Sequence, residues 1–312
     1  MGSNQKVIVL AGVGNLGKYV CEKLLSGSQW SLVVISRQTR DWFKQREIDV
    51  RITDYTESSI LSILDAVHAS ALISFYNAAD ASFLGVHCAM LNACMASQSC
   101  QRFIPSEFIG NIEDFPLYPG IYGDTRAPFR QILQASKGIE WTLFQNGWLM
   151  DYYLTRDKTY MPPIPDEFPI DPNGWKACIR GTGEEPQSWT SCRDIAAAIV
   201  ALLAAPEWEP VTYVCGQWGS FNEMIPIVEQ FYGKPLPTTH RSKKEIQGNL
   251  RAREAAGDQD SLILAQVDEW MVAGASECPR AKTLQHRERY FPELHFMTLR
   301  ELLESSKCRE MF

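Results

Sequence analysis

The feature that most constrains the fold is a glycine-rich turn near the start of the chain. The stretch Gly12-Val-Gly-Asn-Leu-Gly17 follows the short β-branched run Lys6–Ala11 and precedes an apolar pattern of helical spacing over residues 15–26. A strand, a turn and a helix in this order are the context in which a G-x-G-x-x-G motif binds a dinucleotide. The alternative is a glycine-rich turn with no ligand.

Each glycine of the motif has a physical task in such a turn. Gly12 permits the tight turn, Gly14 lets the backbone approach a pyrophosphate, and Gly17 allows the helix to pack closely on the strand. Asn15 and Leu16 open the helix, whose N-terminus faces the phosphates. We therefore predict that these five residues bind the cofactor.

The strand-helix pattern repeats along the first half of the chain. Strands that alternate with helices imply right-handed crossovers and a parallel sheet, so we predict a doubly wound α/β fold of the Rossmann type. The pattern predicts strands at 31–36, 49–53, 71–76, 101–105 and 140–145, and helices at 56–67, 82–97 and 128–136.

The amino-acid composition of the chain changes after residue 150. Tyr, Pro and Asp dominate until an apolar helix at 194–205, for which Asp194 is the predicted N-cap. We predict that residues 1–150 plus about 191–215 form the cofactor-binding domain. Residues 151–190 plus 216–312 are then a second, smaller lobe that binds the substrate.

Composition excludes several functional classes. The 312 residues are 45% hydrophobic and carry a net charge of −7, with no basic stripe, so we expect no nucleic-acid partner. Apolar runs such as Ile195–Ala205 fall short of the roughly 20 residues that a membrane helix needs. The polar start Met1–Lys6 is no signal peptide, so we expect a cytoplasmic protein with no membrane association.

Cysteine and histidine usage indicates no metal site. The nine cysteines form no C-x-x-C pair and lie mostly in apolar segments, which is typical of buried reduced thiols. The five histidines show no pair at metal-ligand spacing, and we interpret each as structural or exposed.

The residue that follows the second strand indicates the choice of cofactor. An acidic residue there would bind the ribose 2′-hydroxyl of NAD, whereas the chain has Arg37, whose guanidinium suits a 2′-phosphate. We therefore predict NADP(H). In the alternative interpretation Arg37 is a solvated loop charge and Asp41 binds the ribose.

Five segments make the chain resemble the isoflavone reductase-like or NmrA-like branch of the atypical short-chain dehydrogenases. The sequences Ile104-Pro-Ser-Glu-Phe108 and Phe291-Pro-Glu-Leu-His-Phe296 are the more specific ones. The matching segments are Val9–Val20, Arg102–Asn111, Glu140–Tyr153, Arg193–Leu203 and Tyr290–Leu303.

The resemblance implies an NADPH-binding protein, monomeric or homodimeric, that acts on a small molecule. The nicotinamide would lie near Pro105, Ser106, Phe108 and Asn146, with the substrate under the smaller lobe. Aromatic side chains that follow a strand end are typical of a ligand pocket in an open α/β sheet, although they also serve as core. The predicted substrate pocket is Trp148, Tyr152 and Tyr153.

One departure from the family concerns catalysis. The resemblance implies a lysine ahead of the helix that precedes residues 139–142, where this chain has Arg126, or Ala127 by a gap-free count. Arginine stays protonated and cannot exchange a proton near neutral pH, but it can stabilise an oxyanion or anchor a carboxylate. We predict Tyr122 and Arg126 as catalytic residues, and because of Pro128 we expect Arg126 to lie in a loop.

These observations favour an NADPH-dependent oxidoreductase that acts on a small aromatic or polyketide-like metabolite in secondary metabolism. An NADP(H)-binding regulator of the NmrA-like kind is an alternative, because such a protein needs no catalytic lysine. A non-redox isomerase or cyclase that retains the cofactor is a second alternative.

Overall fold

The computed structural model describes residues 5–308. Most of the polar start, for which we predict no signal peptide, therefore lies outside the described residues. The chain divides into two compact units. The first contains residues up to Glu107, Asp124–Phe144 and Ala196–Thr212, and the second contains Phe108–Gly123, Gln145–Ile195 and the chain from Tyr213 onward.

The first unit is built on a six-stranded parallel sheet in the order β3-β2-β1-β4-β5-β6. This order is the one that two βαβαβ halves produce, so the predicted doubly wound Rossmann fold is confirmed. Val9 on β1 lies opposite Val33 and Leu72, and all of β1 from Ile8 onward is buried. The strands are β1 Lys6–Ala11, β2 Trp30–Ser36, β3 Asp49–Ile52, β4 Ala69–Ser74, β5 Arg102–Ile104 and β6 Glu140–Trp141.

Helices cover this sheet, most of them where the apolar periodicity predicts them, although the short helix Asp41–Lys44 was not predicted. The first of them buries Tyr19, Val20 and Leu24, and the third is capped by the Thr56 hydroxyl, which accepts a hydrogen bond from the Ser59 amide at 3.3 Å. The helices are α1 Asn15–Leu25, α2 Asp41–Lys44, α3 Glu57–Ala66, α4 Ser82–Ala96, α5 Ile121–Ala135 and α6 Cys192–Ala204.

Helix α5 corrects the expectation that Pro128 keeps Arg126 in a loop. The helix begins at Ile121 and continues through Pro128. A proline inside a helix removes one hydrogen bond and crowds the preceding turn. Burial of one helix face outweighs this cost, because five side chains on it lie in the core, namely Thr125, Arg126, Phe129, Arg130 and Leu133.

The second unit is richer in strands than its sequence indicates. We expected an irregular segment over 151–190, but three short strands lie in it. Two of them pair with strands from other parts of the chain, and the third pairs with its neighbour inside the segment. The strands of the described chain that follow β6 are β7 Leu143–Gln145, β8 Trp148–Leu149, β9 Ile170–Asp171, β10 Lys176–Arg180, β11 Gln187–Thr190, β12 Val211–Tyr213, β13 Gln217–Gly219 and β14 Thr238–Arg241, of which β7 and β12 lie mostly in the first unit.

These strands form small sheets in the orders β14-β10-β9 and β13-β11-β8, while β7 pairs with β12. None of the helices between residues 5 and 308 is long and apolar enough to cross a bilayer. The remaining helices are α7 Phe221–Tyr232, α8 Lys243–Ala256, α9 Gln259–Val272, α10 Arg280–Tyr290 and α11 Leu299–Ser306, with 3₁₀ turns at Met150–Tyr153 and Arg156–Lys158.

The start of helix α6 is capped differently from the prediction. The Ser191 hydroxyl, not Asp194, is the N-cap group, because it accepts a hydrogen bond from the Asp194 amide at 3.0 Å. The Asp194 carboxylate instead accepts one from the Met297 amide at 2.8 Å. Asp194 therefore ties the helix start to the C-terminal segment, a contact that only the folded chain reveals.

The boundary between the units also differs from the predicted domain ranges, because residues 108–123 belong to the second unit. The physical reason is close backbone packing: the Asn111 amide donates to the Ala275 carbonyl at 2.8 Å. A Cβ atom on Gly110 would lie 2.4 Å from that same carbonyl oxygen. Asn146 and Trp148, which we assigned to the first domain, also lie in the second unit.

Substitution of Gly110 tests this packing. We expect Gly110→Ala to lower the free energy of unfolding by about 1–3 kcal/mol, because the backbone of Ala275 must move. Gly123→Ala on α5 is the matched control, since nothing lies within 4 Å of its added Cβ. It should be neutral or stabilising, by up to about 1 kcal/mol. Urea unfolding of both variants measures the difference, and equal stabilities would contradict the packing described.

Candidate functional site

The glycine-rich turn has the geometry that the sequence predicts. Gly12 has a φ of 64°, and a Cβ on it would lie 2.7 Å from the backbone of Tyr76. Its amide donates a hydrogen bond to the Tyr55 hydroxyl at 2.9 Å. Only glycine fits at this position, because a side chain would collide with the backbone that follows β4.

The space beside Gly14 is open. A Cβ there would meet no atom closer than the Gly12 carbonyl oxygen at 4.0 Å. Gly14 is also the N-cap of α1 and provides no side-chain cap, so the first helical amides, which begin at Asn15 and Leu16, are available to an anion. At Gly17 a Cβ would press on Val13 and Phe75 at 3.1 and 3.2 Å. This arrangement fits a pyrophosphate group.

Two cations, Arg37 and Arg40, follow the second strand in the chain. Arg37 is exposed, and its guanidinium lies over the rings of Tyr55 and Tyr76. Partial burial lowers the pKa of Lys18, and the charges of Arg40 and Arg46 lower it further. Crowded cations favour a phosphate ligand.

The alternative ribose ligand, Asp41, stands in the first turn of α2. Its carboxylate is exposed and forms an ion pair with Lys44 at 3.3 Å. A surface pair of this kind is weak, so Asp41 could still bind a hydroxyl group. Asp41 therefore stays the alternative ligand of the ribose, and the relative affinities for NADPH and NADH distinguish it from Arg37.

A buried histidine holds the backbone at Ser106. The His87 Nε2 atom accepts from the Ser106 amide at 3.3 Å, and Nδ1 donates to the Phe83 carbonyl at 2.9 Å. Burial, with a smaller contribution from the nearby Arg126 charge, lowers the pKa of His87 to about 3. His87 is therefore neutral, as a structural histidine, and fixes the segment that contains Pro105 and Ser106.

A buried ion pair holds the next residue of that segment. The Arg130 guanidinium donates to both Glu107 carboxylate oxygens, from Nε at 3.0 Å and from Nη2 at 2.6 Å. The Glu107 side chain is fully buried. Because both partners lack water, the two parallel hydrogen bonds fix Glu107 in one orientation.

Arg126 has a role that the sequence did not indicate. Its guanidinium donates to the Ala78 carbonyl at 2.8 Å and to the Asn77 side chain, and it stacks 3.9 Å above the Phe83 ring. Asn77 and Ala78 lie in the connection from β4 to α4, and Phe83 lies in the first turn of α4. Arg126 anchors this connection, whereas its predicted catalytic role stays a prediction.

The other predicted catalytic residue, Tyr122, lies in the first turn of α5 and is half-buried. Its amide donates to the Pro119 carbonyl at 2.7 Å. Lys137 follows the far end of α5 and is exposed, so this helix presents no lysine at the position that the family resemblance implies. Tyr122 stays a predicted proton donor.

In the second unit, the structure brings Phe108 and Asn146 together around Ile109. Phe108 has a φ of 50°, and the Ile109 carbonyl that follows accepts from the Asn146 amide at 2.8 Å. Within residues 5–308 the buried Asn146 Oδ1 atom has no hydrogen-bond donor. A buried acceptor of this kind favours a ligand that donates a hydrogen bond.

The predicted pocket aromatics form a cluster around Phe168. The Phe168 ring lies 5.2 Å from Trp148, 5.5 Å from Tyr152 and 5.0 Å from Tyr153. Tyr152 and Phe168 line a small crevice of about 20 Å³ together with residues 161–165, whereas Trp148 and Tyr153 are buried and do not line it. Burial raises the pKa of Tyr152, so its hydroxyl stays protonated. The described residues contain no cluster of side chains able to hold a metal ion.

Comparison with known proteins shows which family the sequence is similar to. Residues 8–97 match the TrkA-N domain. The chain is 35% identical to oxidoreductase swnR of Arthroderma benhamiae over 94% of this chain and 95% of the relative. An isoflavone reductase homolog of Nicotiana glauca is 21% identical, over 77% and 78% of the two chains. The chain belongs to the isoflavone reductase-like family of oxidoreductases.

A solved structure supports the family at the level of fold. The binary complex of leucoanthocyanidin reductase with NADPH from Vitis vinifera has a TM-score of 0.72 and 17% identity, and covers 97% of this chain and 100% of its own. This likeness supports the NADP(H)-binding type of fold. The family resemblance is confirmed by the oxidoreductase relative that is 35% identical. The individual site residues are not tested by these comparisons and stay predictions.

The sequence analysis missed several residues of this edge, among them Tyr55, Tyr76 and the pair Glu107–Arg130. Tyr55 and Tyr76 each follow a strand by two or three residues, which is where an open α/β sheet places its ligand. That rule could have found both tyrosines. No local signal pairs Glu107 with Arg130, since the two residues are far apart in the chain.

Removal of Arg126 should destabilise the first unit. We expect Arg126→Ala to cost about 2–4 kcal/mol, because it leaves the Asn77 and Ala78 acceptors without their charged donor. Arg126→Lys should cost less, since an ammonium group reaches one acceptor but not both. Gln131→Ala, an exposed position on the same helix, is the control. If Arg126→Ala were as stable as Gln131→Ala in thermal unfolding, Arg126 would not be an anchor.

His87 should make the protein sensitive to acid. The folded state holds its pKa at about 3, below the usual 6.5, so below pH 6.5 the unfolded state binds more protons and stability falls as the pH drops. The loss is at most about 1.4 kcal/mol per pH unit. His87→Gln should show a shallower decline. Urea unfolding at about pH 7.5 and about pH 5 measures both slopes, and identical slopes would contradict this assignment.

Proposed function

We propose that this protein is an NADPH-dependent reductase of a small aromatic or polyketide-like metabolite, active in secondary metabolism. One observation carries the proposal: the open anion site at Gly14 and the uncompensated charge of Arg37 lie on one sheet edge. The oxidoreductase relatives support the reaction class. The NADPH complex of leucoanthocyanidin reductase supports the cofactor.

The residues of the first unit would bind the cofactor as follows. The amides that open α1 bind the pyrophosphate, and Arg37 binds the 2′-phosphate through charge-assisted hydrogen bonds. His87 fixes the Ser106 backbone, which is predicted to lie beside the nicotinamide. When bound, NADPH supplies the hydride.

We propose roles for Asn146 and for the aromatic cluster of the second unit as well. The Asn146 Oδ1 atom can accept a hydrogen bond from a carboxamide such as that of nicotinamide. Tyr152 offers an aromatic face and a hydroxyl group at the crevice, a combination that suits an aromatic substrate, and the buried Trp148 and Tyr153 are proposed to support that pocket. We propose that the second unit binds the substrate and that the protein works as a cytoplasmic monomer or homodimer.

The proton would come from Tyr122 or from water. Arg126 cannot exchange a proton near neutral pH, and its guanidinium already binds the connection at Asn77 and Ala78. Tyr122 carries a hydroxyl group that can donate. Its substitution by phenylalanine should therefore reduce turnover strongly if the protein is a reductase that requires an acid.

The contacts of Arg126 favour a second candidate function, NADP(H) binding without reduction of a substrate. Because Arg126 anchors a connection and α5 has no lysine at the family position, a protein that binds NADP(H) without a net reduction is the alternative. An NmrA-like regulator and a non-redox isomerase or cyclase both fit this description. Measurement of NADPH absorbance beside product mass with small aromatic and polyketide-like ketones separates these functions from a reductase.

Calorimetry tests the cofactor directly. We expect NADPH to bind more tightly than NADH by about 1–3 kcal/mol, because the 2′-phosphate forms charge-assisted hydrogen bonds with Arg37. Arg37→Ala should remove most of this difference while NADH affinity is kept, and Asp41→Asn should leave it intact. Equal wild-type affinities for the two cofactors would overturn the NADPH assignment.

A further inference from the structure

Three side chains meet at the carboxyl ends of three strands of the parallel sheet. Arg37 follows β2, Tyr55 follows β3 and Tyr76 follows β4. The guanidinium carbon of Arg37 lies 5.4 Å from the centroid of the Tyr55 ring and 5.7 Å from that of Tyr76. The two rings lie 5.5 Å apart and are inclined by 52°. The cation is therefore bordered by two aromatic faces.

The Tyr55 ring is fixed at its hydroxyl end and at its backbone. The hydroxyl accepts from the Gly12 amide at 2.9 Å and donates to the Ile35 carbonyl at 3.1 Å. The Tyr55 amide donates to the Thr53 hydroxyl at 3.0 Å. Because burial raises the pKa of Tyr55, the hydroxyl stays protonated and keeps both bonds. The ring therefore links the glycine-rich turn to the end of β2.

The Tyr76 ring is held by different contacts. Its backbone packs against Gly12, where a Cβ would come within 2.7 Å, and its hydroxyl lies 3.1 Å from the Ser82 hydroxyl. Its ring also lies 6.2 Å from that of His87. Tyr76 thus offers a positioned aromatic face, and it is only half-buried, so its replacement is tolerable.

In the described part of the chain, the charge of Arg37 has no carboxylate partner. Within residues 5–308 no aspartate or glutamate forms an ion pair with it, although Asp49 pairs with Arg51 and Asp41 with Lys44 nearby in the chain. A cation held over aromatic rings uses the face of the guanidinium plane, and the N–H groups at its edge stay available to an anion. Such a guanidinium has lost part of its rotamer freedom before any ligand binds.

We propose that Tyr55 and Tyr76 form an aromatic clamp that orients Arg37 toward the 2′-phosphate and thereby sets the preference for NADPH over NADH. The clamp rests on the proposed function, since it presupposes that this site binds NADPH. Both tyrosines are positioning residues in this proposal. They act through Arg37, so their effect requires the arginine.

A double-mutant cycle measures that dependence. Tyr76→Leu should lower the ratio of NADPH to NADH affinity about two- to fivefold, the size of an exposed cation–π contact. Tyr76→Phe keeps the ring and should restore the wild-type ratio. In an Arg37→Ala background, Tyr76→Leu should leave the ratio unchanged. Calorimetric dissociation constants of both cofactors, for all five proteins, supply these values without a substrate.

A further variant, Tyr55→Phe, tests the hydroxyl group of Tyr55 separately from its ring. Tyr55→Phe keeps the aromatic face but removes the acceptor of the Gly12 amide, so both cofactors should bind more weakly while their ratio stays at the wild-type value. A changed ratio in Tyr55→Phe would show that the hydroxyl, not the ring, governs the preference, and would overturn the clamp.

The outcomes separate the clamp from the proposed function. A wild-type protein with no NADPH preference would overturn both. A preference that disappears in Arg37→Ala but keeps its full wild-type size in Tyr76→Leu would overturn the clamp alone. Equal losses of both affinities in Tyr76→Leu would show a merely structural tyrosine and would likewise overturn it.

Discussion

The close approach of the Gly12 backbone to the backbone of Tyr76 is the constraint on which the proposed cofactor site, at the carboxyl ends of the parallel strands, depends. A distance of 2.7 Å from an added Cβ leaves room only for glycine, so the turn after β1 can rest on the end of β4. The same turn donates its amide to Tyr55. These two contacts fix the positions of the ends of β1, β3 and β4 relative to one another. The amides at the start of α1 then face open space beside Gly14.

Helix α5 stabilises the neighbouring part of that edge. Arg126 binds the connection after β4, and Arg130, one turn later on the same helix, binds Glu107 after β5. Arginine suits both tasks because its planar fork donates several parallel hydrogen bonds in a buried site. The guanidinium that stands near the family lysine position is thus explained by packing. For this reason Tyr122, and not Arg126, is the side chain to test as the proton donor once a substrate is known.

Much of the first unit could be predicted from local patterns. The strand at Lys6–Ala11, the glycine turn and the amphipathic helices were predicted correctly, since each depends on the periodicity of its own residues. The short strands of 151–190 were not, because two to five residues carry too little periodicity. Helix α5 was missed at its start for another reason: Pro128 disfavours the helix locally, and only the buried face of the helix outweighs it.

The sequence by itself determined the fold class and the position of the glycine turn, because the turn motif and the strand periodicity are properties of adjacent residues. It also indicated Arg37 as a 2′-phosphate ligand through its place after β2. Tertiary structure alone decided what surrounds that arginine and what Arg126 binds. Tyr55, Tyr76 and Asn77 reach these guanidinium groups from distant parts of the chain, and such contacts form only when the parallel strands bring their carboxyl ends to one edge.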